Sequence, residues 1–417
     1  IVRYMCQESL IAYLETNTSI AKDKIRHFVL SPEEGVAEIP ENKKPKLLTA
    51  LEEVKICDPA IGSGAFPMGL LNELLHCREV LSDEHYDRAE IKKCIIQNNI
   101  YGVDIEKGAV DIARLRFWLS IVVDEETPSP LPNLDYKIMQ GNSLLSRYPI
   151  DAPIKDVFVE YNKNKKEKEK MTLAKYKELV SDYTNTSNHQ TKELFRKTIE
   201  DIKSAFKTEL NYRLKEKLSK LRGKIIALDS PRLFGEPTKA EKAELKKLQE
   251  KLNILEKEKE DIPTNKLYVD AFEWRFEFPQ LLDENGKFIG FDIVIGNPPY
   301  LRIQGIRDTN PAFAEELVKK YHSATGSFDL YAAFAERGLQ VIRQSGIVNY
   351  IMPDKWTNAA FGKGLREVVS KQKAAHKIIS FGAYQVFNAS TYTALQWFIP
   401  NSEHLEYYQL DRNLETN

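Results

Sequence analysis

What most limits the fold of this chain is a series of short apolar runs set between stretches of helical spacing. Val54-Lys55-Ile56-Cys57-Asp58, Ile100-Tyr101-Gly102-Val103-Asp104 and Tyr136-Lys137-Ile138-Met139-Gln140 each read as a strand. Beyond residue 266 the texture returns. Phe291 to Ile295 reads as a strand, Leu330 to Gln344 as a helix, and Gly346 to Ile351, Lys377 to Phe381 and Tyr392 to Ile399 as further strands. Strands separated by helices predict an α/β fold with a parallel, doubly wound sheet. Residues 157–265 differ, being rich in Lys and Glu with a sparse apolar stripe. Leu210, Leu214, Leu218 and Leu221 recur at helical spacing, as do Leu245, Leu248, Leu252 and Leu255, around a breaker-rich stretch from Ser230 to Pro237. That pattern predicts a helical hairpin inserted into one sheet. The expected division is therefore residues 1–156, with an N-terminal helix and half of the sheet; 157–265, the charged insertion; and 266–417, the other half. The insertion is either a solvated spacer or an arm that meets DNA backbone or a partner, since YNKNKKEKEK mixes Lys with Glu.

Composition excludes little. The net charge of −1 does not advertise a nucleic-acid binder, but an average can conceal a basic face. No apolar run reaches about eighteen residues, so no membrane-spanning helix and no membrane partner are expected. Cys6, Cys57, Cys77 and Cys94 lack paired spacing and sit in apolar segments, which suits free thiols in a reducing cytoplasm and no metal site. The opening IVRYMCQESLIAYLETN suits an amphipathic helix entered partway, so the sequence reads as a piece of a longer protein.

Four motifs carry chemistry. Asp58-Pro59-Ala60-Ile61-Gly62-Ser63-Gly64-Ala65-Phe66 follows a strand and precedes a helical run. Glycines at that junction let backbone N–H groups approach a ligand at a helix N-terminus. No GK[ST] follows, and Asp58 would repel phosphate; a carboxylate there suits a cationic group such as a methionine ammonium. Asp104 ends the next strand, where an acid either accepts both hydroxyls of a ribose or caps the following helix. Gly141-Asn142-Ser143-Leu144-Leu145 follows the third strand, and Asn142 either bonds an adenine edge or makes a turn.

The fourth motif is Asn297-Pro298-Pro299-Tyr300, directly after a strand. Two prolines fix the backbone and remove two N–H donors, leaving carbonyls to line a site. An Asn oxygen beside such a carbonyl can accept both hydrogens of a planar amine. This draws the nitrogen toward tetrahedral geometry and exposes its lone pair for attack on a methyl sulfonium. Tyr300 offers a flat face to an extruded base.

Taken in order, DPAIGSGAF, GVDI, GNSLL and IGNPPY resemble the adenine-N6 DNA methyltransferases that place the cofactor motif first. The type IIG restriction–modification and phage-exclusion (BREX) methylases, in which a segment like AFEWRFEFPQLL precedes the NPPY strand, are the nearest likeness. Phe328 to Gly338, Gly346 to Pro353 and Lys377 to Gly382 resemble that family's later motifs. The resemblance implies a Rossmann-like sheet of the AdoMet-dependent methyltransferase type with a helical hairpin insertion. It implies S-adenosyl-L-methionine as cofactor and double-stranded DNA as partner, with a target-recognition domain elsewhere in the same longer chain and a nuclease domain there left open. By the same resemblance Asp58, Pro59, Ala60, Gly62, Gly64, Asp104, Ile105, Asn142 and Ser143 bind the cofactor. Asp58 faces its methionine end, Asp104 its ribose, and Ile105 and Asn142 its adenine. Asn297 and the Pro298 carbonyl grip the target amine within Asn297-Pro298-Pro299-Tyr300, and Tyr300 stacks on the target base. Phe398, with Phe387 next, is the candidate second stacking ring, or else a core residue.

Two departures qualify this. The Phe/Tyr-Thr-Pro that precedes a segment like IVRYM is missing, so weaker cofactor binding is expected, and the target-recognition domain that normally follows the last motif is expected to be absent from residues 266–417. Asn142, for its part, stands where the family more often has Asp. No PD…ExK nuclease site is evident, and this chain is not expected to cut DNA. The implied reaction is direct methyl transfer to a flipped adenine, without metal or covalent intermediate. Two rival readings are a protein glutamine-amide methyltransferase and a non-catalytic DNA- or partner-binding subunit.

Overall fold

The computed structural model describes residues 1–82, 87–127, 131–147, 150, 158–163, 165–186, 188–229, 239–264, 266–382, 384 and 392–410. Among the described residues, eight strands form one sheet: β1 (Ile56–Asp58), β2 (Ile100–Asp104), β3 (Ile138–Gln140), β4 (Phe291–Gly296), β5 (Ile342–Met352), β6 (Ala375–Ser380), β7 (Ala394–Phe398) and β8 (Glu406–Gln409). Their order is β3-β2-β1-β4-β5-β7-β6-β8. The pairs from β3 through β5 are all parallel, while β7 runs antiparallel between β5 and β6. The fold is the doubly wound α/β class expected from the sequence, and the reversal of strand order falls between β1 and β4. In such sheets the crevice outside the strands' carboxyl ends at that reversal is the place where ligands bind.

Both faces of the sheet are covered, which is why its strands read as near-continuous apolar runs. Ile56, Ile100, Ile293, Ile295, Ile347, Leu395 and Trp397 point into one core, where the helices Val2–Thr18 and Ala65–Glu79 pack. Cys57, Tyr101, Val294, Val348, Tyr350 and Phe398 point into the other. At the amino ends of β4 and β1, buried Asp292 accepts from Arg343 (2.8 Å) and from the Lys55 backbone N–H (2.8 Å). That ion pair explains one difference from expectation. The helix beginning at Leu330 ends at Val341 rather than Gln344, because Ile342 pairs with Phe291 and Arg343 reaches Asp292 from a strand.

The helix Leu330–Val341 is buried on nearly every side, including Glu336 and Arg337. Its charges are satisfied internally, as buried charges must be. Glu336 accepts from the Ser323 N–H (2.7 Å), and Arg337 donates to the Tyr321 hydroxyl (2.8 Å), which donates to the Leu144 carbonyl (2.8 Å). Here packing and polar bonding together support the loop after β3.

By contacts the chain forms two compact units, one of residues 1–152, 270–283 and 287–417, the other of 153–269 and 284–286. The second is helical, with Leu173–Asn185 capped by Thr172, and the long helices His189–Asp229 and Lys239–Thr264 in contact, Arg222 pairing with Glu256 at 2.5 Å. The expected turn from Ser230 to Pro237 lies outside the described residues, as does Phe387. Among the described residues no helix is long and apolar enough to cross a membrane.

Candidate active site

The carboxyl ends of β1, β2, β3 and β4 lie side by side, and the loops that leave them surround a cavity of about 390 Å³. Pro59 and Ala60 come from the first loop, Asp104 and Ile105 from the second, Asn142, Ser143 and Leu144 from the third, and Asn297, Pro299 and Leu301 from the fourth. Residues from four separate motifs thus meet at one crevice.

The first loop is built by its glycines. Gly62 (φ 52°) and Gly64 (φ 79°) adopt left-handed backbone, which L side chains rarely tolerate, and Gly64 opens the helix Ala65–Glu79. The turn is then pinned to its neighbour. Asp104 accepts from the Gly62 N–H (2.8 Å) with one carboxylate oxygen and from the Glu106 N–H (3.0 Å) with the other. It therefore braces the turn that leads to the next helix, whose own N-cap Glu106 makes no side-chain cap, and borders the cavity. Two bonds leave lone pairs on each oxygen for a ligand hydroxyl.

Asp58 stands behind this wall rather than in it, only 1% exposed. Its carboxyl accepts from the Ala60 N–H (3.0 Å) and packs on Gly296, where a Cβ would come within 2.5 Å of its Oδ1. A glycine is thus required on β4 because an acid is buried at the end of β1. Burial, with Asp104 nearby, pushes the Asp58 carboxyl up to about 8 despite the Ala60 bond.

The third loop is also held from within. Asn142 Oδ1 accepts from the Leu144 N–H (3.0 Å), so its turn-making role is real while the residue still borders the cavity. Buried Ser143 donates from its hydroxyl to the Pro59 carbonyl (2.6 Å), tying the first and third loops together.

At the fourth loop, Asn297 is exposed at the cavity, Pro298 is buried, and Pro299 and Tyr300 are half-buried. The Tyr300 hydroxyl lies 2.7 Å from the Asn297 side-chain amide, at its Oδ1 position, and 2.8 Å from the Ile351 carbonyl on β5. Its ring meets Tyr331 edge-on at 6.3 Å. Beyond it the chain is held by pairing of Leu301 and Ile303 with Phe328 and Leu330: the Leu330 N–H donates to Leu301 (2.8 Å) and the Ile303 N–H to Phe328 (3.0 Å).

The structure thus brings Pro59, Ala60, Asp104, Ile105, Asn142, Ser143, Asn297 and Pro299 to one cavity, with Asp58, Gly62, Gly64, Pro298 and Tyr300 supporting its walls. Phe398 is a correction. It is 1% exposed on β7 and packs at 6.0 Å against Trp356 inside the core, so it has no face to offer a base. One wall was not anticipated. Ile306, Thr309, Asn310 and Phe313 close the cavity from the helices Ile303–Thr309 and Pro311–Lys320, with Leu330 and Phe334 beneath. Asn310 caps the second of these helices by accepting from the Phe313 N–H (3.1 Å), and Pro311 starts it, a local signal for a helix but not for a site.

A doubly wound sheet with glycine turn, acid and Asn-Pro-Pro-Tyr loop at its switch point defines a class, and sequence comparison gives the family. Residues 98–387 match the Eco57I restriction-modification methylase model, and the chain belongs to that family of restriction-modification methyltransferases. A Methanocaldococcus jannaschii protein assigned as a type II restriction enzyme and methyltransferase is 28% identical over 359 residues, covering 79% of this chain and 28% of the relative. The Escherichia coli type II restriction enzyme and methyltransferase RM.Eco57I is 36% identical over 122 residues, 29% of this chain and 12% of the relative. This chain therefore spans less than a third of either relative's length. Among solved structures, the type IIL restriction-modification enzyme MmeI in complex with DNA aligns with TM-score 0.44 at 13% identity, covering 94% of this chain and 37% of that one.

Proposed function

We propose that this chain is the methyl-transferring core of a DNA adenine-N6 methyltransferase that uses S-adenosyl-L-methionine, within a restriction–modification or phage-defence enzyme. The observation that carries the reading is the position of Asn297. It is exposed on the very cavity that Asp104, Ile105 and Asn142 border, so a group held by Asn297 faces whatever those residues bind. The cavity suits such a cofactor: apolar plates at Ile105, Phe313 and Phe334 alternate with polar groups at Asp104 and Asn142, and a buried acid lies behind. S-adenosyl-L-methionine supplies, when bound, a methyl group on a positively charged sulfur. Asp104 would hold the ribose and Asn142 the adenine edge, with Ile105 against the ring. Asp58, Gly62 and Gly64 would shape the methionine end, and Pro59, Ala60 and Ser143 the floor between.

The residues of the fourth loop then do the rest. Asn297 and the Pro298 carbonyl accept hydrogens from the amine of an adenine turned out of the duplex, and Tyr300 gives its ring a flat neighbour. Positioning and exclusion of water supply the rate, with no acid or base required at the nitrogen before transfer.

The test is chemical. The protein is incubated with duplex DNA and cofactor labelled in its methyl group, and the DNA is then digested to nucleosides. Label is expected in N6-methyl-2′-deoxyadenosine. Label in another base, or in a glutamine side chain of added protein with none in DNA, would overturn the reading.

A further inference from the structure

We infer that the Tyr300 hydroxyl is a positioning group that fixes which atom of the Asn297 amide faces the cavity. The inference deepens the role proposed for Asn297 and rests on that reading. The geometry is a problem of proton count. The Tyr300 oxygen has two neighbours at hydrogen-bond distance, the Ile351 carbonyl at 2.8 Å and the Asn297 amide at 2.7 Å. A hydroxyl has one proton to donate, and a backbone carbonyl can only accept. The proton therefore belongs to Ile351, a buried residue of β5 registered against Leu395 of β7.

Both contacts are satisfied together only when Asn297 turns Nδ2 toward Tyr300 and donates to its oxygen. The oxygen and nitrogen of a primary amide occupy the same envelope and are told apart by their partners. In that orientation Oδ1 points away from Tyr300, as an acceptor for a donor that arrives there. In the opposite orientation an –NH₂ would meet the incoming amine, donor against donor. A free Asn would sample both. The chain Asn297 Nδ2–H to Tyr300 oxygen, and Tyr300 O–H to Ile351 carbonyl, holds the productive one before substrate arrives. Burial reinforces the arrangement, since it pushes the Tyr300 phenol well above its ordinary range and keeps its proton in place for Ile351. The role is distinct from stacking, which uses the ring face and needs no hydroxyl.

Two experiments test this. Neutron diffraction from the perdeuterated, unliganded protein should show two deuterons on the Asn297 atom that faces Tyr300, and the phenolic deuteron directed at Ile351. A bare oxygen facing Tyr300 would overturn the proposal. Tyr300→Phe keeps the ring and removes the hydroxyl. Its single-turnover methyl transfer should fall about tenfold, the size of one lost neutral hydrogen bond. DNA affinity, and the fluorescence rise of 2-aminopurine placed at the target position, should not change. A Tyr300→Phe rate equal to wild type would overturn the positioning role. The diffraction arm needs neither DNA nor cofactor. Correctly placed deuterons in a protein that transfers nothing to adenine would therefore contradict the proposed function and leave the hydrogen-bond assignment standing.

Discussion

The two sides of the cavity are built on different terms. On the side formed by the loops after β1, β2 and β3, the polar groups are already engaged with their own backbone. Asp104 holds two N–H groups, Asn142 one, Asp58 one, and Ser143 ties two loops together. On the β4 side Asn297 is exposed and meets the Tyr300 hydroxyl. The first arrangement makes a rigid wall whose residues hold the fold and, on the proposed reading, the cofactor as well. The second leaves one polar side chain exposed at the cavity and tied to the fold through Tyr300. Changes on the first side should therefore lower binding and stability together, and changes on the second should lower turnover alone.

Asn297→Ala should give the largest effect and the cleanest separation. Single-turnover transfer is expected to fall by roughly a thousandfold, while cofactor affinity measured by calorimetry stays within about twofold. Equal loss of both would erase the distinction between the two sides. Asp104→Ala should do the reverse. Cofactor affinity is expected to fall by about a hundredfold, and unfolding free energy by about 1–3 kcal/mol because the N–H groups of Gly62 and Glu106 lose their acceptor. A loss of affinity with no loss of stability would show that Asp104 is not structural.

Asp58 adds a pH dependence of defined sign. Its folded-state pKa, about 8, lies above the unfolded value, so the folded protein binds the extra proton between the two. Stability from this group is present at low pH and is lost as pH rises toward 8. Cofactor binding that needs the ionised acid should strengthen with pH over the same range, by about tenfold per unit below the pKa, then level off. Asp58→Asn should flatten both curves, and an unchanged slope in calorimetric titrations would assign the proton elsewhere. The smallest functional effect is expected at Phe398. Phe398→Leu should cost about 1–2 kcal/mol of stability through imperfect repacking against Trp356, with unchanged transfer per folded molecule. A selective drop in transfer would return Phe398 to the site.

Legibility in the sequence followed the same division. The ends of β1, β2 and β4 could be read because each joins an apolar run to a residue whose chemistry punctuates it: Asp58, Asp104 and Asn297. Local pattern and tertiary role coincide there. The wall at Ile306 and Phe313 could not be read, since nothing in a short amphipathic helix announces which concavity it will close. β8 was missed because Glu406-Tyr407-Tyr408-Gln409 is an edge strand with half its side chains in water and no apolar run to mark it. Phe398 stays ambiguous in the sequence, because a strand aromatic looks the same whether it faces a core or a ligand; the structure puts it in the core. The end of the Leu330 helix was set by a partner, Asp292, about fifty residues upstream, and no local propensity records that.

The most direct measurement of the central claim is long-read mapping of modified adenines in DNA from cells that express the parent gene, beside a matched strain carrying Asn297→Ala. N6-methyladenine confined to one short sequence, and absent in the variant, is the predicted result. Methylated adenine at the same level in both strains would contradict the placement of the amine at Asn297, and none in either would contradict DNA adenine as the substrate.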